Sequence, residues 1–405
     1  MEYTVHRYTM AKGWRSFLQE ESEHQWLAIS VFFVFIIIGA FAIHGTSKLT
    51  GMDLINNSEM PDSRIMHIEH NSNDGYTAIA HTSEGMYLYQ FVDGEETIIL
   101  DSNSLTGNSN FDFLSPMANG SVLTSISDNS ILVIDEGVVS NIELSDERGS
   151  FGIDKISQNF NEKLDSMILI TDEGNFTSFR GTGLDSIPSA ATPESPGIDW
   201  KDVSAVSENE WIATGVLISS SGGDNNPASP QITSVVGHII WTGGITAPMI
   251  QEIYPGSIGE YHSMIRIDDK MIIAGTSQTV VFDSKDNSFE SMDITSKAAI
   301  KSDCDTVWFF GTLHSETAIK WSEHESKVIE LQHRMPIEVE TFGSSDEMIF
   351  MYGTDASGNN KVLTFDSSSY GSIESGRGFL NFSFILIFSI AFVVMGWNVY
   401  DRMKS

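Results

Sequence analysis

The chain has 405 residues, with 55 Asp and Glu against 22 Lys and Arg, a formal net charge of −33 and 41% hydrophobic residues. Such acidity excludes a nucleic-acid partner, because a negative surface gains nothing from the counterions that a polyanion releases. A single cysteine, Cys304, excludes any intrachain disulfide, so stability has to come from packing.

The first predicted element is an apolar run over 26–43, and a second apolar run covers 379–397. At about 1.5 Å of rise per residue, such runs are just long enough as helices to cross a hydrocarbon core of roughly 30 Å. They predict two transmembrane α-helices flanking one large domain. Five of the 22 basic residues (Arg7, Lys12, Arg15, Arg402 and Lys404) lie in the tails together with five of the 55 acids, so the middle carries the whole charge of −33. Only Lys48, Lys361 and Arg377 supply basic charge on the other flanks. Retention of Lys and Arg on the cytoplasmic side then predicts both termini inside, and the domain outside a membrane that the chain crosses twice. A competing reading takes the first run as a cleaved secretory signal ending at Ala40-Phe41-Ala42. The acidic polar lead and the length of the run oppose it. The expected organisation is a tail over 1–25, a helix over 26–43, a linker with a possible closing strand over 44–63, a β domain over 64–375, a helix over 379–397 and a tail over 398–405.

Within the middle, a short apolar strand, a polar turn and a second apolar strand recur seven times. The first strands are expected at 76–80, 122–126, 167–170, 211–213, 271–274, 307–310 and 348–352. The turns include Thr82-Ser83-Glu84-Gly85, Ser127-Asp128-Asn129-Ser130 and Thr171-Asp172-Glu173-Gly174, whose Gly, Asn and Asp suit positive-φ turns between antiparallel strands. Further strand candidates flank most hairpins, giving four strands per unit. Strands such as Met167-Ile168-Leu169-Ile170 are apolar at every position, so both of their faces must be covered. A β-sandwich supplies similar turn signals but gives no reason for a regular spacing. The one long step falls in the fourth unit, where 219–230 is a Ser, Gly, Asn and Pro insertion between the two hairpin strands.

A period in this range with four strands per repeat resembles the seven-bladed β-propellers of the WD-repeat-like and quinoprotein-like superfamilies, over about residues 50–375. The resemblance implies an all-β, seven-bladed propeller ectodomain. It identifies no family, since the Gly-His and Trp-Asp dipeptides of true WD repeats do not recur. Propellers also need joining where the ring ends meet. The polar stretch after 365 makes a poor outer strand, and the alternation of Leu49, Met52 and Leu54 offers a strand to replace it.

No P-loop, dinucleotide fingerprint, HExxH, CxxC or GxSxG motif occurs, so no catalytic residue, metal or cofactor is expected. Asp101-Ser102-Asn103 and the segment from Asp283 to Asn287 begin like calcium loops and then place Leu105 or Lys285 where an oxygen ligand belongs. In a propeller the innermost strands line the channel; His67, Asp112, Asp154, Asp202, His262, Lys297 and Glu338 are assigned to them, and His67, Asp112, Asp154, Asp202, His262 and Glu338 are the candidate ligand-binding residues. The expected function is a membrane-anchored extracytoplasmic module that binds a protein or polymer partner. The alternative is a hydrolase or quinoprotein-like oxidoreductase working at the channel mouth.

Overall fold

The computed structural model describes residues 32–37, 39, 52–56, 63–70, 75–92, 95–104, 111–117, 119–135, 138–144, 151–159, 166–180, 183–186, 197–219, 231–241, 248–302, 306–331, 333–345, 347–368, 383–390, 393 and 397. The chain divides into two units, one of residues 1–48 with 370–405 and one of residues 49–369. Cys304, the insertion from 220 to 230, both tails and most of the linker over 44–63 lie outside the described residues.

The second unit is a seven-bladed β-propeller made of seven four-stranded antiparallel sheets. Strand β1 (Met52–Asn56) comes first in sequence and belongs to the last blade. Blade 1 is β2 (Arg64–His70), β3 (Tyr76–Thr82), β4 (Gly85–Val92) and β5 (Glu95–Asp101). Blade 2 is β6 (Ser115–Pro116), β7 (Val122–Ser127), β8 (Ser130–Asp135) and β9 (Val138–Glu143). Blade 3 is β10 (Ile153–Gln158), β11 (Ser166–Thr171), β12 (Phe176–Arg180) and β13 (Gly183–Ser186). Blade 4 is β14 (Ile198–Ser207), β15 (Glu210–Ser219), β16 (Gln231–Ile240) and β17 (Met249–Pro255). Blade 5 is β18 (Tyr261–Ile267), β19 (Lys270–Gly275), β20 (Thr279–Asp283) and β21 (Ser288–Met292). Blade 6 is β22 (Ala298–Ser302), β23 (Thr306–Phe310), β24 (Thr317–Ser322) and β25 (Glu325–Glu330). Blade 7 is β26 (Ile337–Ser345), β27 (Met348–Asp355), β28 (Asn360–Asp366) and, as its outer strand, β1.

The first strand of each blade is innermost, and blades 2–3, 3–4, 5–6, 6–7 and 7–1 meet along these strands, β2 against β26 included. Ile79 and Leu88 pack on Val122 and Leu132 between blades 1 and 2, and Ile212 and Val236 on Met271 and Ile273 between blades 4 and 5, so the ring is complete. All-apolar second strands follow from this arrangement, because each blade is covered on both faces by its neighbours. Ile168 and Ile170 of blade 3 pack against Trp200, Val203 and Trp211 of blade 4, while Met167 and Leu169, on the opposite face, pack against Phe113 and Leu123 of blade 2. Between blades 6 and 7, the fully buried Trp308 meets Phe365 edge-on with centroids 4.9 Å apart. Aromatic side chains bury the largest areas per residue and dominate such interfaces. The turns behave as their residues require, with positive φ at Gly85, Asn129 and Gly174.

Closure uses β1. It pairs antiparallel with β28 from Met52 opposite Phe365 to Asn56 opposite Lys361, in the segment where the sequence offered a closing strand, although Leu54 is exposed. Without it β28 would be an open edge in the last blade. Because β28 ends where β1 begins, both chain ends leave the propeller side by side. They leave from the face that carries the turns between first and second strands, opposite the face where the innermost strands begin.

Asp53 and Thr364 stand opposite one another in this pairing. The double variant Asp53→Cys with Thr364→Cys is expected to form an intrachain disulfide, seen as a mobility change on non-reducing gels. It should also raise the melting temperature, because it closes a very long loop in the unfolded chain. Removing 46–56 should lower the melting temperature. An unchanged melting temperature in the truncated chain would contradict closure by β1.

Candidate functional site

The innermost strands are interrupted at one recurrent place. In blades 1, 3, 4, 5 and 7 the pairing with the second strand skips one residue near the start of the inner strand: Met66, Asp154, Lys201, His262 and Glu340. Such bulges re-aim side chains and sharpen the strand's twist. Here they lie near the start of the inner strands, at the channel mouth opposite the chain ends. His67, Lys155 and Asp202 occupy the same position, one residue after the bulge, in blades 1, 3 and 4.

The candidate residues fall around this mouth, with two corrections. His67, Asp154, Asp202, His262 and Glu338 lie on inner strands. Asp112 does not: it sits in the irregular segment that leads into the two-residue β6, since Pro116 and Gly120 leave little chain able to pair. Lys297 likewise precedes β22 by one residue. Most of the group is half-buried and Asp112 is exposed, as in a solvated lining.

The structure brings these residues together in two sets. The first spans blades 1 to 4. Lys155 Nζ lies 3.6 Å from Asp202 Oδ1, joining blades 3 and 4. Across the channel, Lys155 also acts on His67 and on Glu69, a residue that the sequence reading passed over. Burial pushes the Glu69 carboxyl up to about 7, with Lys155 opposing the rise and Asp202 adding to it. Burial, reinforced by Lys155, lowers His67 to about 4, and its ring hydrogen-bonds the backbone of Asp112. Burial raises the Asp154 carboxyl, and the carboxylates of Asp172 and Asp112 raise it further.

The second set spans blades 5 to 7. His262 Nε2 lies 3.1 Å from the Ser296 carbonyl and 3.2 Å from its hydroxyl, and Nδ1 lies 2.8 Å from Ser263 Oγ. A carbonyl can only accept, so Nε2 carries the proton and the ring is neutral, with its pKa lowered to about 4 chiefly by burial. Lys297 Nζ stands 3.9 Å from Glu338 Oε1, while Glu338 Oε2 accepts the Leu313 backbone N–H at 2.9 Å. The two sets thus tie neighbouring blades together through ion pairs and hydrogen bonds. Among the described residues, no group of three or more His, Cys, Asp or Glu side chains is arranged to hold a metal ion. Asp101 and Asp283, at the heads of the two calcium-like segments, accept the backbone N–H groups of Asn103 and Lys285 and so form ordinary turns.

No protein family and no curated protein matches the sequence. Among solved structures, the chain is similar to a virginiamycin B lyase from Staphylococcus aureus at 12% identity, with a TM-score of 0.51 over 78% of this chain and 98% of that one. It is also similar to Raptor from Chaetomium thermophilum at 11% identity, with a TM-score of 0.52 over 79% of this chain and 30% of that one. At these identities the likeness shows the fold alone. That fold is the seven-bladed propeller.

The half-buried groups, with the fully buried His238, give the protein a definite pH response. His67, His70, His238 and His262 are all lowered from 6.5 to about 4 in the folded chain, chiefly by burial. Each therefore stabilises the fold above pH 6.5 and withdraws that contribution as pH falls towards 4. For the fully buried His238, the withdrawal is on the order of 3 kcal/mol. Glu69 acts in the opposite sense, since its folded pKa is raised from 4.5 to about 7. Its contribution is complete below pH 4.5 and is lost as pH rises through 7. Thermal melts between pH 4 and 8 should show the four histidines prevailing, with stability falling on acidification. His238→Leu should flatten the acidic limb, and Glu69→Gln should raise stability above pH 7 relative to the parent.

Proposed function

We propose that this protein is a membrane-anchored, extracytoplasmic propeller that presents the channel mouth to a protein or polymer partner. The observation that carries the reading is the exit of both chain ends from one face, opposite the mouth, on the way to two apolar runs of lipid-crossing length.

Among the described residues, no helix is long and apolar enough to cross a membrane. The described parts of both runs, 32–37 with 39 and 383–390 with 393 and 397, are nonetheless helical. They pack on each other through stacked rings, Phe32 on Phe388 at 5.6 Å and Phe35 on Phe384 at 5.8 Å between centroids. Their outer surfaces expose Phe33, Val34, Ile37, Ile385, Leu386 and Ile390, which favours an apolar surrounding over water. This mutual packing supports retention of the first run over its loss as a cleaved signal. The basic residues in the tails support an inside location for both termini.

Ion pairs linking one blade to the next support a rigid binding disc at the mouth. A second reading, acid–base chemistry in the channel, rests on Glu69 alone, whose carboxyl at about 7 can take up or release a proton near neutrality.

Protease added to spheroplasts that carry the chain with tags at both ends tests the placement. The expected result is digestion of the propeller with both tags protected. Removal of the N-terminal tag during maturation would establish the cleaved signal, and protection of the propeller would overturn the extracytoplasmic assignment.

A further inference from the structure

The seam where blade 7 meets blade 1 holds a cleft of about 440 Å³, opening on the same face as the channel mouth. It lies between the starts of β2 and β26 and is flanked by the β3–β4 and β27–β28 turns. Its wall combines Arg64, Thr82 and Ser83 from blade 1 with Glu340, Thr354 and Asn360 from blade 7. His81 adds an exposed imidazole from the end of β3, Gly358 lies in the β27–β28 turn, and no aliphatic side chain lines the cleft.

Its two charges are only partly used. Arg64 donates from Nε to Glu340 Oε2 at 2.6 Å. That single contact leaves the two terminal nitrogens of the guanidinium and the other oxygen of Glu340 without a hydrogen bond among the described residues. The free edge of a guanidinium is a two-pronged donor matched to a carboxylate. A free carboxylate oxygen accepts from an ammonium group. Around the pair, Thr82, Ser83, Thr354 and the Asn360 amide offer neutral donors and acceptors. Asn360 is fixed by donating to the Ser63 carbonyl at 2.9 Å, which bridges the last blade to the start of the first.

We infer that this seam cleft binds a small zwitterion with adjacent carboxylate and ammonium groups, a free α-amino acid or the free termini of a very short peptide. The carboxylate lies on the open edge of Arg64 and the ammonium on the free oxygen of Glu340. Polar walls favour a polar or small side chain, and the volume leaves room for it. A bound ligand touches both blades across the seam and so strengthens the ring where it closes. This site meets the rim of the channel mouth at the Glu340 bulge and does not depend on how the chain is anchored.

Calorimetric titration and thermal melts of the purified full chain test it, using glycine, serine and glutamate as probes. N-acetylglycine and glycine methyl ester serve as controls that each lack one of the two charges. Binding in the micromolar to millimolar range is expected, with a rise in melting temperature, since a ligand that binds only the folded state stabilises it. Each control should bind at least about tenfold more weakly, the loss of one charge-assisted contact. Arg64→Gln and Glu340→Gln should abolish the heat of binding while leaving the circular dichroism spectrum unchanged. Because those variants also break the ion pair, Ser83→Tyr, which fills the cleft from an exposed turn and keeps the pair, should abolish binding as well. Equal binding of the controls, or no heat with any of the three amino acids, would overturn the assignment.

Discussion

Ring closure is the constraint on which everything else in this structure depends. Each blade has an apolar second strand that needs cover on both faces, and only a complete circle gives every blade two neighbours. The circle is completed by five residues from far away in sequence, Met52–Asn56, hydrogen-bonded to β28. Phe365, opposite Met52 in that ladder, also reaches the Trp308 ring of blade 6, so the closing strand backs the same interface that seals blade 6 onto blade 7. A chain without a disulfide framework thus fixes its ends by backbone pairing and by the packing behind it.

The charge distribution is compatible with that closure because the interior is kept nearly neutral while the surface is not. The net charge of −33 is spread over the surface, where salt screens it within about 8 Å at physiological strength. Towards the axis and between blades, His67 and His238 stay uncharged near neutrality, and the Glu69 carboxyl, raised to about 7, is only partly ionised there. Lys155, Lys297 and Arg64 are each placed against a carboxylate from an adjacent blade. Self-repulsion among acids acts to open such a ring, and these cations sit at the joints between blades where that force is felt.

The mouth and the seam follow from the same geometry. A bulge at one recurrent position turns the starts of the inner strands, and polar side chains from several blades then share a small volume. At the seam, blade 7 is followed by blade 1 rather than by its successor in sequence. Arg64 and Glu340, 276 positions apart, become contact partners there. The two helical segments of the other unit pack on each other in the same fashion, with residues from opposite ends of the chain joined by stacked phenylalanines.

The sequence by itself determined the architecture. Spacing, all-apolar strands and Gly, Asn or Asp turns were enough for seven four-stranded units, and the alternation at Met52 and Leu54 was enough for the closing strand. These are local signals, because a strand's period and a turn's φ are set by the residues that form them. The channel was only partly legible. His67, Asp154, Asp202, His262 and Glu338 were readable as inner-strand polar residues, but Asp112 and Lys297 fall just before the strands to which they were assigned. Glu69 was missed, although it lies two residues after His67 and therefore on the same side of β2. Lys155, next to Asp154, was missed for a different reason: the bulge at Asp154 reverses the alternation, so that sequence parity no longer tells which neighbour faces the axis. Only the tertiary structure decided which polar groups meet. Cross-blade pairs such as Lys155 with Asp202 or Arg64 with Glu340 are set by the curvature of the whole ring, a property that no single repeat contains.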